Sequence, residues 1–300
     1  MTPTRCGFVA LVGLPNAGKS TLLNALVGSK VSIVSPKVQT TRARIMAVLT
    51  QGQAQAVLVD TPGLLSRPKR RLEKAMQLSL SAGLSEADAS LLVVDAQRGT
   101  ADLEPLVQRL ARRPGPRFLL LNKTDLVTPT ALLPLAEQLN AALAFDATFM
   151  ASALKQRGID KLRERLLAAL PEGVWLFPKE QITTQPERFL AAEITREQLF
   201  LALHQELPYQ LTVETDSFTE SKKDILIHQT IYVARKGHKA IVIGAKGQTL
   251  KRVGQRARRT LEALYETQVR LYLFVKVRPD WLDDPSRYQA MGLEYSPDKG

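Results

Sequence analysis

The chain has 300 residues, of which 45% are hydrophobic and 23% charged, a composition typical of a folded globular protein. At about 150 residues per domain, this length predicts two domains. The 41 lysines and arginines outnumber the 29 acidic residues, and the formal net charge of +12 predicts affinity for a polyanion, either nucleic acid or an anionic membrane surface. The single cysteine, Cys6, excludes an internal disulfide, which fits a reducing compartment.

The sequence shows no sign of a membrane-spanning or secreted protein. Pro3 and the short segment before the first apolar run leave no room for a signal peptide. No apolar run approaches the roughly 20 residues that a transmembrane helix needs. We therefore expect a cytoplasmic protein.

Apolar, β-rich runs alternate with helical patterns through the first half of the chain. The predicted strands are 8–12, 43–49, 55–59, 91–94, 118–121 and 148–150, and the predicted helices are 19–27, 72–84, 102–112, 130–143 and 159–170. This alternation predicts an α/β domain, with a mostly parallel sheet covered by helices on both faces. Ligands of such sheets bind beyond the carboxyl ends of the strands, so motifs that follow strands are the candidate site.

The first such motif follows strand 8–12 and matches the phosphate-binding pattern G-x-x-x-x-G-K-[ST] at every fixed position. Gly13 and Gly18 let backbone N–H groups point at a phosphate, and the start of the next helix adds partial positive charge. Lys19 can reach the outer phosphates, and the Ser20 hydroxyl can hold Mg²⁺. The predicted nucleotide-binding residues here are Gly13, Leu14, Pro15, Asn16, Ala17, Gly18, Lys19, Ser20 and Thr21.

The polar segment 35–42 lies between the first helix and the second strand. It contains a proline and has no regular periodicity, so we predict a loop. A threonine there can complete the Mg²⁺ shell only while a third phosphate is bound, which would order the loop with GTP and release it after hydrolysis. From these residues alone, either Thr40 or Thr41 could serve.

A D-x-x-G motif follows strand 55–59. The Asp60 carboxylate can reach the metal through a water or a hydroxyl, and Gly63 lets a backbone N–H approach the terminal phosphate. The motif is weak alone, but its position behind a phosphate loop makes it specific. The predicted nucleotide-binding residues here are Asp60, Thr61, Pro62 and Gly63.

The residues after this motif bear on the rate of hydrolysis. Leu64 stands where Ras-like GTPases carry a glutamine that orients the attacking water. Leucine cannot hydrogen-bond to water, so we expect either slow hydrolysis or another group that orients the attacking water.

The basic run 66–71 is interpreted as a solvated loop face. The alternative is that it senses RNA or a partner's phosphate.

A third motif, N-K-x-D, follows strand 118–121 and determines the base. The Asp125 carboxylate can accept hydrogen bonds from the N1–H and N2–H₂ edge that guanine has and adenine lacks. Adenine would leave this carboxylate without a partner, at a heavy cost. The stem of Lys123 can pack over the base, and a backbone N–H of 152–154 can hold the guanine O6. The predicted residues here are Asn122, Lys123, Asp125, Ser152, Ala153 and Leu154.

The alternation of strands and helices breaks at 171–178. Two prolines and a glycine there predict a linker, and its apolar residues predict that it packs on a surface. A helix from residue 186 to about 207 should follow, stopped by Pro208. Two alternating strands, 210–216 and 225–234, come next.

The second informative stretch is the G-x-x-G pattern at Gly244–Gly247. KH domains use such a loop to clamp the backbone of single-stranded nucleic acid. The pattern is common by chance, but here an Ile-Val-Ile run precedes it, and an amphipathic helix 248–266 and a strand 269–277 follow. The order helix, strand, strand, helix, G-x-x-G, helix, strand is that of the type II KH fold, an α+β domain.

Positive charge is concentrated around this loop. Residues 235–259 contain nine lysines and arginines and no acidic residue, a distribution typical of a surface that binds phosphates. Some of these charges are also explained by a solvated helix face. The predicted RNA-binding residues are Lys239, Ile243, Gly244, Ala245, Lys246, Gly247, Lys251 and Arg252.

The motifs G-x-P-N-x-G-K-S-T, Q-T-T-R, D-T-P-G, N-K-x-D and S-A-L occur here in the order found in the translation-factor-class GTPases. Among these, the chain most resembles the Era-like GTPases of bacterial small-subunit ribosome assembly. The resemblance continues through 206–209 and 275–281 and covers nearly the whole chain. It implies a P-loop GTPase domain followed by a type II KH domain. The implied boundaries are 1–170 for the GTPase domain, 171–185 for a linker, 186–284 for the KH domain and 285–300 for a tail.

The resemblance also implies residue roles. It identifies Thr41 as the threonine that binds the metal, so that Ser20, Thr41 and Asp60 hold Mg²⁺ and Lys19, Thr41 and Gly63 act in catalysis. In related GTPases an asparagine at the place of Asn16 helps to hold K⁺ beside the phosphates. The alternative is that Asn16 makes only a hydrogen bond within the turn.

The resemblance further implies the partners. They are GTP and GDP, the 3′ end of 16S ribosomal RNA and the small ribosomal subunit, with RNA binding coupled to the nucleotide state. It also implies a monomer and a peripheral contact with the inner face of the cell membrane. One alternative is a signalling GTPase whose basic domain docks protein or membrane. Another is an ATP-dependent RNA enzyme, against which Asn122–Asp125 argues.

Overall fold

The computed structural model describes residues 3–37, 40–60, 71–204, 207–279, 281 and 284–285. The predicted site residues Thr61, Pro62 and Gly63 lie outside the described residues, as do Leu64, most of the basic run 66–71 and nearly all of the tail. The chain divides into two compact units. Thr41–Thr184 belongs to the first with the residues up to Ser32, and Ile33–Thr40 belongs to the second with Gln185–Ala290.

Six strands form the sheet of the first unit. They are β1 Arg5–Val12, β2 Ile45–Gln51, β3 Ala54–Asp60, β4 Ala89–Asp95, β5 Arg117–Asn122 and β6 Ala147–Met150. Their order is β2-β3-β1-β4-β5-β6; β2 is antiparallel to β3, and the other neighbours are parallel. The mostly parallel α/β sheet predicted from the alternating pattern is therefore confirmed.

Helices cover both faces of this sheet. They are α1 Lys19–Val27, α2 Arg71–Glu86, α3 Glu104–Ala111, α4 Pro129–Ala142 and α5 Ile159–Ala168. Leu92 and Val94 of β4 pack in one core with α3 and α4, whereas α1 and α5 contact each other and β3. All seven residues of β4 are buried, as expected of a central parallel strand.

The predicted linker packs along the first unit, but through its backbone, because its apolar side chains Val174 and Leu176 are exposed. The buried side chain of Gln55 accepts hydrogen bonds from the backbone N–H groups of Leu176 (2.9 Å) and Phe177 (3.0 Å). Farther along, the N–H of Val48 donates to the carbonyl oxygen of Ile182 at 3.0 Å. The linker is thus bonded to β2 and β3, while the exact domain boundaries stay predictions.

The second unit follows the predicted order of elements. These are α6 Glu187–Ala202, β7 Leu211–Glu220, β8 Asp224–Val233, α7 Lys236–Ile243, α8 Gln248–Tyr265 and β9 Gln268–Val277. The sheet order is β7-β8-β9, with β7 antiparallel and β9 parallel to the central β8. One face of this sheet carries the apolar core shared with α6, α7 and α8.

The prediction that α6 reaches about residue 207 is wrong. The helix ends at Ala202, Leu203 is already extended, and a 3₁₀ turn covers Leu207–Gln210. Pro208 lies within that turn, where its missing N–H cannot continue a helical ladder, and the chain has already left the helix at Leu203. Among the residues that the structure describes, no helix is long and apolar enough to cross a membrane.

Candidate nucleotide-binding site and basic loop

The phosphate loop lies at the carboxyl end of β1 and leads into α1. Gly18 has a φ of +93°, the left-handed region that favours glycine, and it caps the amino terminus of α1. A Cβ at Gly13 would lie 2.4 Å from the carbonyl oxygen of Val93, and a Cβ at Gly18 would lie 2.3 Å from Nδ2 of Asn122. Both positions therefore require glycine, as expected of a loop whose backbone N–H groups face a phosphate.

Lys19 is buried within this loop. Its Nζ donates hydrogen bonds to the carbonyl oxygens of Gly13 (3.0 Å) and Leu14 (3.1 Å). Burial lowers the pKa of Lys19, and the nearby Asp60 carboxylate opposes that shift. The ammonium group is thus held at the loop by its own backbone, with a third donor position for a phosphate oxygen.

Three oxygen-bearing side chains meet beside the loop. Oγ of Ser20 lies 2.8 Å from Oγ1 of Thr41 and donates to Oδ2 of Asp60 at 2.7 Å. Thr41 also donates to Oδ2 of Asp60, at 3.3 Å. Two hydroxyls and a carboxylate are hard oxygen ligands of the kind that Mg²⁺ prefers, so the donor set fits this ion.

The same contacts distinguish the two candidate threonines. Thr41 faces Ser20 and Asp60, whereas Oγ1 of Thr40 donates to the carbonyl oxygen of Lys37 at 2.7 Å. Burial raises the pKa of Asp60, while Lys19 and the hydroxyls of Ser20 and Thr41 act against that rise. The geometry therefore favours Thr41 over Thr40 beside a cation.

Asn122 connects the loops that follow β5 and β6 to the phosphate loop. It is 2% exposed; its Nδ2 donates to the carbonyl oxygen of Ala17 at 2.9 Å, and its Oδ1 accepts the N–H of Ala153 at 3.0 Å. One side chain thus fixes the spacing of three loops that follow three different strands. The N–H of Ala153 is engaged in this contact.

The lysine and the aspartate of the same motif have separate partners. Nζ of Lys123 forms an ion pair of 2.7 Å with Asp95, at the end of β4. A hydrogen bond from Ser152 is the main cause that lowers the pKa of the exposed Asp125. Asp95 was not among the predicted site residues. Its position directly after the predicted strand 91–94, where ligands of such sheets bind, could have identified it.

The basic loop of the second unit lies between α7 and α8. Gly244, Lys246 and Gly247 have φ values of +76°, +49° and +75°. A Cβ at Gly244 would lie 2.2 Å from Oγ1 of Thr249, whereas Gly247 has open space around it. Of the predicted RNA-binding residues, Ile243 packs partly against the core, and those exposed are Lys239, Ala245, Lys246, Lys251 and Arg252.

The predicted loop 35–42 is divided between the two units, which the sequence did not indicate. Within the second unit, Oε1 of Glu197 accepts the N–H of Val34 at 2.7 Å. Arg196 donates to the carbonyl oxygen of Thr40 at 2.6 Å, and Lys37 donates to backbone carbonyls at the end of α6. Val34, Lys37 and Thr40 are therefore bonded to residues of α6 or its end, while Thr41 belongs with Ser20 and Asp60 to the first unit.

Comparison with known proteins identifies the family. Residues 8–123 match the model described as 50S ribosome-binding GTPase, and residues 206–282 match the KH domain model. The GTPase Era of Afipia carboxidovorans is 51% identical over 295 residues, covering 98% of this chain and 96% of that protein. This chain belongs to the Era family of GTPases. The GTPase Era of Dinoroseobacter shibae is 52% identical over 298 residues, with the same two coverages.

Solved Era structures share the whole architecture. A variant of Aquifex aeolicus Era bound to GDP·AlF₄⁻ is 37% identical, with a TM-score of 0.89, and the match covers 96% of this chain and 99% of that one. Era in complex with MgGDPNP and nucleotides 1506–1542 of 16S ribosomal RNA gives the same values. The Era family, the P-loop GTPase domain and the KH domain are thus confirmed, and the chain is a GTPase.

Proposed function

We propose that this Era-family GTPase binds the 3′ end of 16S ribosomal RNA through its KH domain and acts in maturation of the small ribosomal subunit. The observation that carries the proposal is the basic G-x-x-G loop. It is supported by the 37% identity of this chain to the Era protein whose structure contains nucleotides 1506–1542 of 16S ribosomal RNA. We place the GTPase domain at 1–170, the linker at 171–185, the KH domain at 186–284 and a tail at 285–300.

In the GTPase domain, Ser20, Thr41 and Asp60 would hold Mg²⁺. Their three oxygen atoms already meet within hydrogen-bonding distance, so little rearrangement is needed to face a cation. Bound Mg²⁺ supplies positive charge at the phosphate oxygens. Thr41 would complete the ligand set only with a third phosphate, which makes the loop before it responsive to hydrolysis.

Hydrolysis of GTP proceeds by in-line attack of a water on the γ-phosphate. Lys19 donates to the outer phosphates, and the backbone N–H groups of the phosphate loop and of Gly63 stabilise the developing charge. Leu64 cannot orient the water. We propose that Asn16, whose φ of +65° turns the loop, helps to hold a K⁺ ion that supplies further positive charge. Equal hydrolysis rates in Na⁺ and K⁺ would remove the K⁺ ion from this mechanism.

The guanine edge is read by Asp125. Its carboxylate is exposed and ionised, so it can accept from both guanine donors. Lys123, held by Asp95, covers the base, and Asn122 fixes the distance between the base and phosphate loops. These contacts favour GTP over ATP and weigh against an ATP-dependent enzyme.

We propose that GTP favours the RNA-competent arrangement and that hydrolysis favours release. The test measures affinity for an unpaired 16S 3′-end oligonucleotide with a non-hydrolysable GTP analogue and with GDP. Equal affinities would reject the coupling. If the protein does not bind this RNA, the alternative is favoured, a signalling GTPase whose basic domain docks protein or membrane.

Gly247→Asp tests the RNA loop itself. The new carboxylate would repel phosphate, and the open space around Gly247 spares the core, whereas a side chain at Gly244 would also collide with Thr249. Gly52→Asp is the matched control, because Gly52 has a φ of +59° and open space in the β2–β3 turn of the other unit. We expect only Gly247→Asp to weaken RNA binding; equal losses would indicate a general effect of backbone strain and charge.

We propose a cytoplasmic monomer that touches the inner membrane surface only peripherally, through its net charge of +12. Cosedimentation with vesicles of anionic and of neutral lipids would measure this contact, and light scattering would give the mass. Binding that is the same for both vesicle types would contradict an electrostatic contact.

A further inference from the structure

The outer face of the KH sheet carries a row of three nearly parallel rings. The ring of His228 lies within 14° of parallel to the rings of Tyr272 (5.1 Å between centroids) and Phe274 (6.5 Å). Nδ1 of His228 is hydrogen-bonded to the Ser217 hydroxyl at 3.0 Å, which orients its ring. Tyr272 is 49% and Phe274 51% exposed, unusually high for large rings on a sheet. We call these three residues the ring row.

Packing of the core does not explain the ring row. Residues of β9 alternate, so Leu273 and Val275 face the helices while Tyr272 and Phe274 face outward. The same alternation on β8 puts Ile227 in the core and His228 outside. The rings therefore add nothing to the buried core and remain available to a partner.

The charge on β9 favours a polyanion beside the rings. Arg270 and Lys276 flank Tyr272 and Phe274 on the outward row, which holds no acidic residue. Asp224 of β8 forms an ion pair with Arg270 at 2.7 Å, so these two charges offset each other and Lys276 supplies the net positive charge of the row. Proteins that bind single-stranded nucleic acid combine aromatic side chains, on which bases stack, with basic side chains that bind the phosphates. Strand β9 alternates these two kinds of side chain.

The ring row also adjoins the basic loop through one strand. β9 is the edge strand of the sheet. On its inner side Leu273 and Val275 pack with Val242 of α7 and Val253 of α8, the helices on either side of the G-x-x-G loop. An RNA strand clamped at that loop needs only to cross the edge of β9 to reach the ring row.

We infer that the outer face of β9 is a second RNA site, on which unpaired bases stack against the ring row after the strand leaves the G-x-x-G loop. The occupant is single-stranded RNA continuous with the segment held by the loop, so the inference rests on the proposed RNA binding. It assigns His228, Tyr272 and Phe274 a contact with RNA beyond the nucleotides that a KH loop clamps.

The test removes the rings and varies the length of the RNA. In the double variant Tyr272→Thr with Phe274→Thr, threonine keeps strand propensity but cannot stack. Leu226→Thr is the control, since Leu226 is an outward, non-aromatic residue of β8. The probes are labelled unpaired 16S 3′-end oligonucleotides of about four and about twelve nucleotides, the shorter matching the length that a KH loop clamps.

We expect the double variant to bind the longer RNA roughly tenfold more weakly and the shorter RNA like wild type, because each stacked base contributes independently of the clamp. Leu226→Thr should bind both like wild type. Unchanged affinity of the double variant for the longer RNA overturns the inference. If Leu226→Thr weakens binding equally, the inference is also overturned, because the face would then be a general apolar surface suited to a protein partner.

Two further measurements keep the result interpretable. Phe274→Trp retains a ring, so the fluorescence that it adds to that of Trp175 and Trp281 should be quenched by the longer RNA and not by the shorter one. If neither RNA quenches this added fluorescence, the inference is overturned. Gly247→Asp should weaken binding of both lengths. If Gly247→Asp binds both RNA lengths like wild type, the proposed RNA binding by the loop is wrong. If only the predictions for the longer RNA fail, the loop still binds RNA and the second site is wrong.

Discussion

The guanidinium group of Arg196 donates a hydrogen bond of 2.6 Å to the carbonyl oxygen of Thr40, the residue directly before Thr41, whose Oγ1 lies 2.8 Å from Oγ of Ser20. Arg196 is 2% exposed, and its Nε donates to the carboxylate of Glu193 at 2.6 Å. A buried, two-sided contact of this kind holds the backbone of Thr40 firmly. Because Thr40 and Thr41 share a peptide bond, a shift of Thr41 when the third phosphate leaves must strain or move the contact on α6.

Arg196→Lys should therefore reduce the coupling between nucleotide and RNA. Lysine keeps the positive charge beside Glu193 but lacks the fork that bonds two groups at once. We expect the ratio of RNA affinities with a GTP analogue and with GDP, typically about 5- to 150-fold in coupled systems, to fall toward one. Nucleotide affinity itself should change little, and fluorescence anisotropy with labelled RNA measures the ratio.

Arg188→Lys is the control for this experiment. Arg188 lies on the same helix and donates to the carbonyl oxygen of Thr215 at 2.6 Å, away from residues 33–40. It should leave the ratio as in wild type. If both variants lower the ratio equally, the effect belongs to α6 as a whole and not to the contact with Thr40.

The two adjacent threonines give a second prediction. Thr41→Ala removes an oxygen atom that lies 2.8 Å from Ser20 Oγ, so the metal should lose a ligand. We expect GTP hydrolysis to fall roughly tenfold or more, the loss that even an outer partner of a metal site gives, and to need more Mg²⁺. GDP affinity should stay unchanged, because Thr41 serves only with a third phosphate. The measurement is phosphate release across a Mg²⁺ titration.

Thr40→Ala is the matched variant. Its lost hydrogen bonds go to Ser35 and to the carbonyl oxygen of Lys37, inside segment 33–40. The Mg²⁺ requirement should remain that of wild type. A raised requirement in Thr40→Ala, with none in Thr41→Ala, would reverse the assignment of the metal ligand.

The elements of the fold were predictable because each is encoded by neighbouring residues. The apolar run 91–94 predicted β4, which the ladders with β1 and β5 extend to Ala89–Asp95. The phosphate loop and the guanine motif were equally local. The predicted end of α6 was wrong because the hydrophobic pattern continues to Leu207, whereas the backbone already leaves the helical conformation at Leu203.

Contacts between distant residues were not predictable from such patterns. Lys123 and Asp95 are 28 positions apart, and nothing near either residue specifies the other. Arg196 lies in the predicted helix, and nothing near it in the sequence indicates that it is buried against Thr40. These pairings depend on how separate elements pack, and a single sequence does not record that packing.

Asn122→Asp should weaken binding of GTP and GDP alike. An ionised aspartate cannot donate to the carbonyl oxygen of Ala17, which Asn122 now bonds at 2.9 Å, and would repel it. A buried group left without its partner costs about 1–3 kcal/mol, so affinity should fall roughly 5- to 150-fold. Isothermal titration with each nucleotide measures the loss.

Asn140→Asp is the comparison for that variant. The side chain of Asn140 also donates two hydrogen bonds, to the Ala136 carbonyl (2.8 Å) and to Thr148 (2.9 Å), but it is exposed. Water replaces its lost bonds, so nucleotide affinity should stay within about 0.5 kcal/mol of wild type. Comparable losses in both variants would mean that the connection between the loops through Asn122 does not set affinity.

Asp125→Asn should exchange the base preference of the site. The Ser152 hydrogen bond lowers the pKa of Asp125, so near neutral pH it is a full acceptor for the N1–H and N2–H₂ groups of guanine. An asparagine NH₂ meets the guanine amino group donor to donor but pairs with the C2 carbonyl of xanthine. Losing charge-assisted bonds of about 1.5–3 kcal/mol predicts at least roughly tenfold weaker GTP binding, with tighter XTP binding. Competition against labelled GDP measures both, and Asp146→Asn, at an exposed carboxylate that accepts the N–H of Arg117, should alter neither. A variant at 125 that still prefers GTP over XTP would place the guanine edge against another residue.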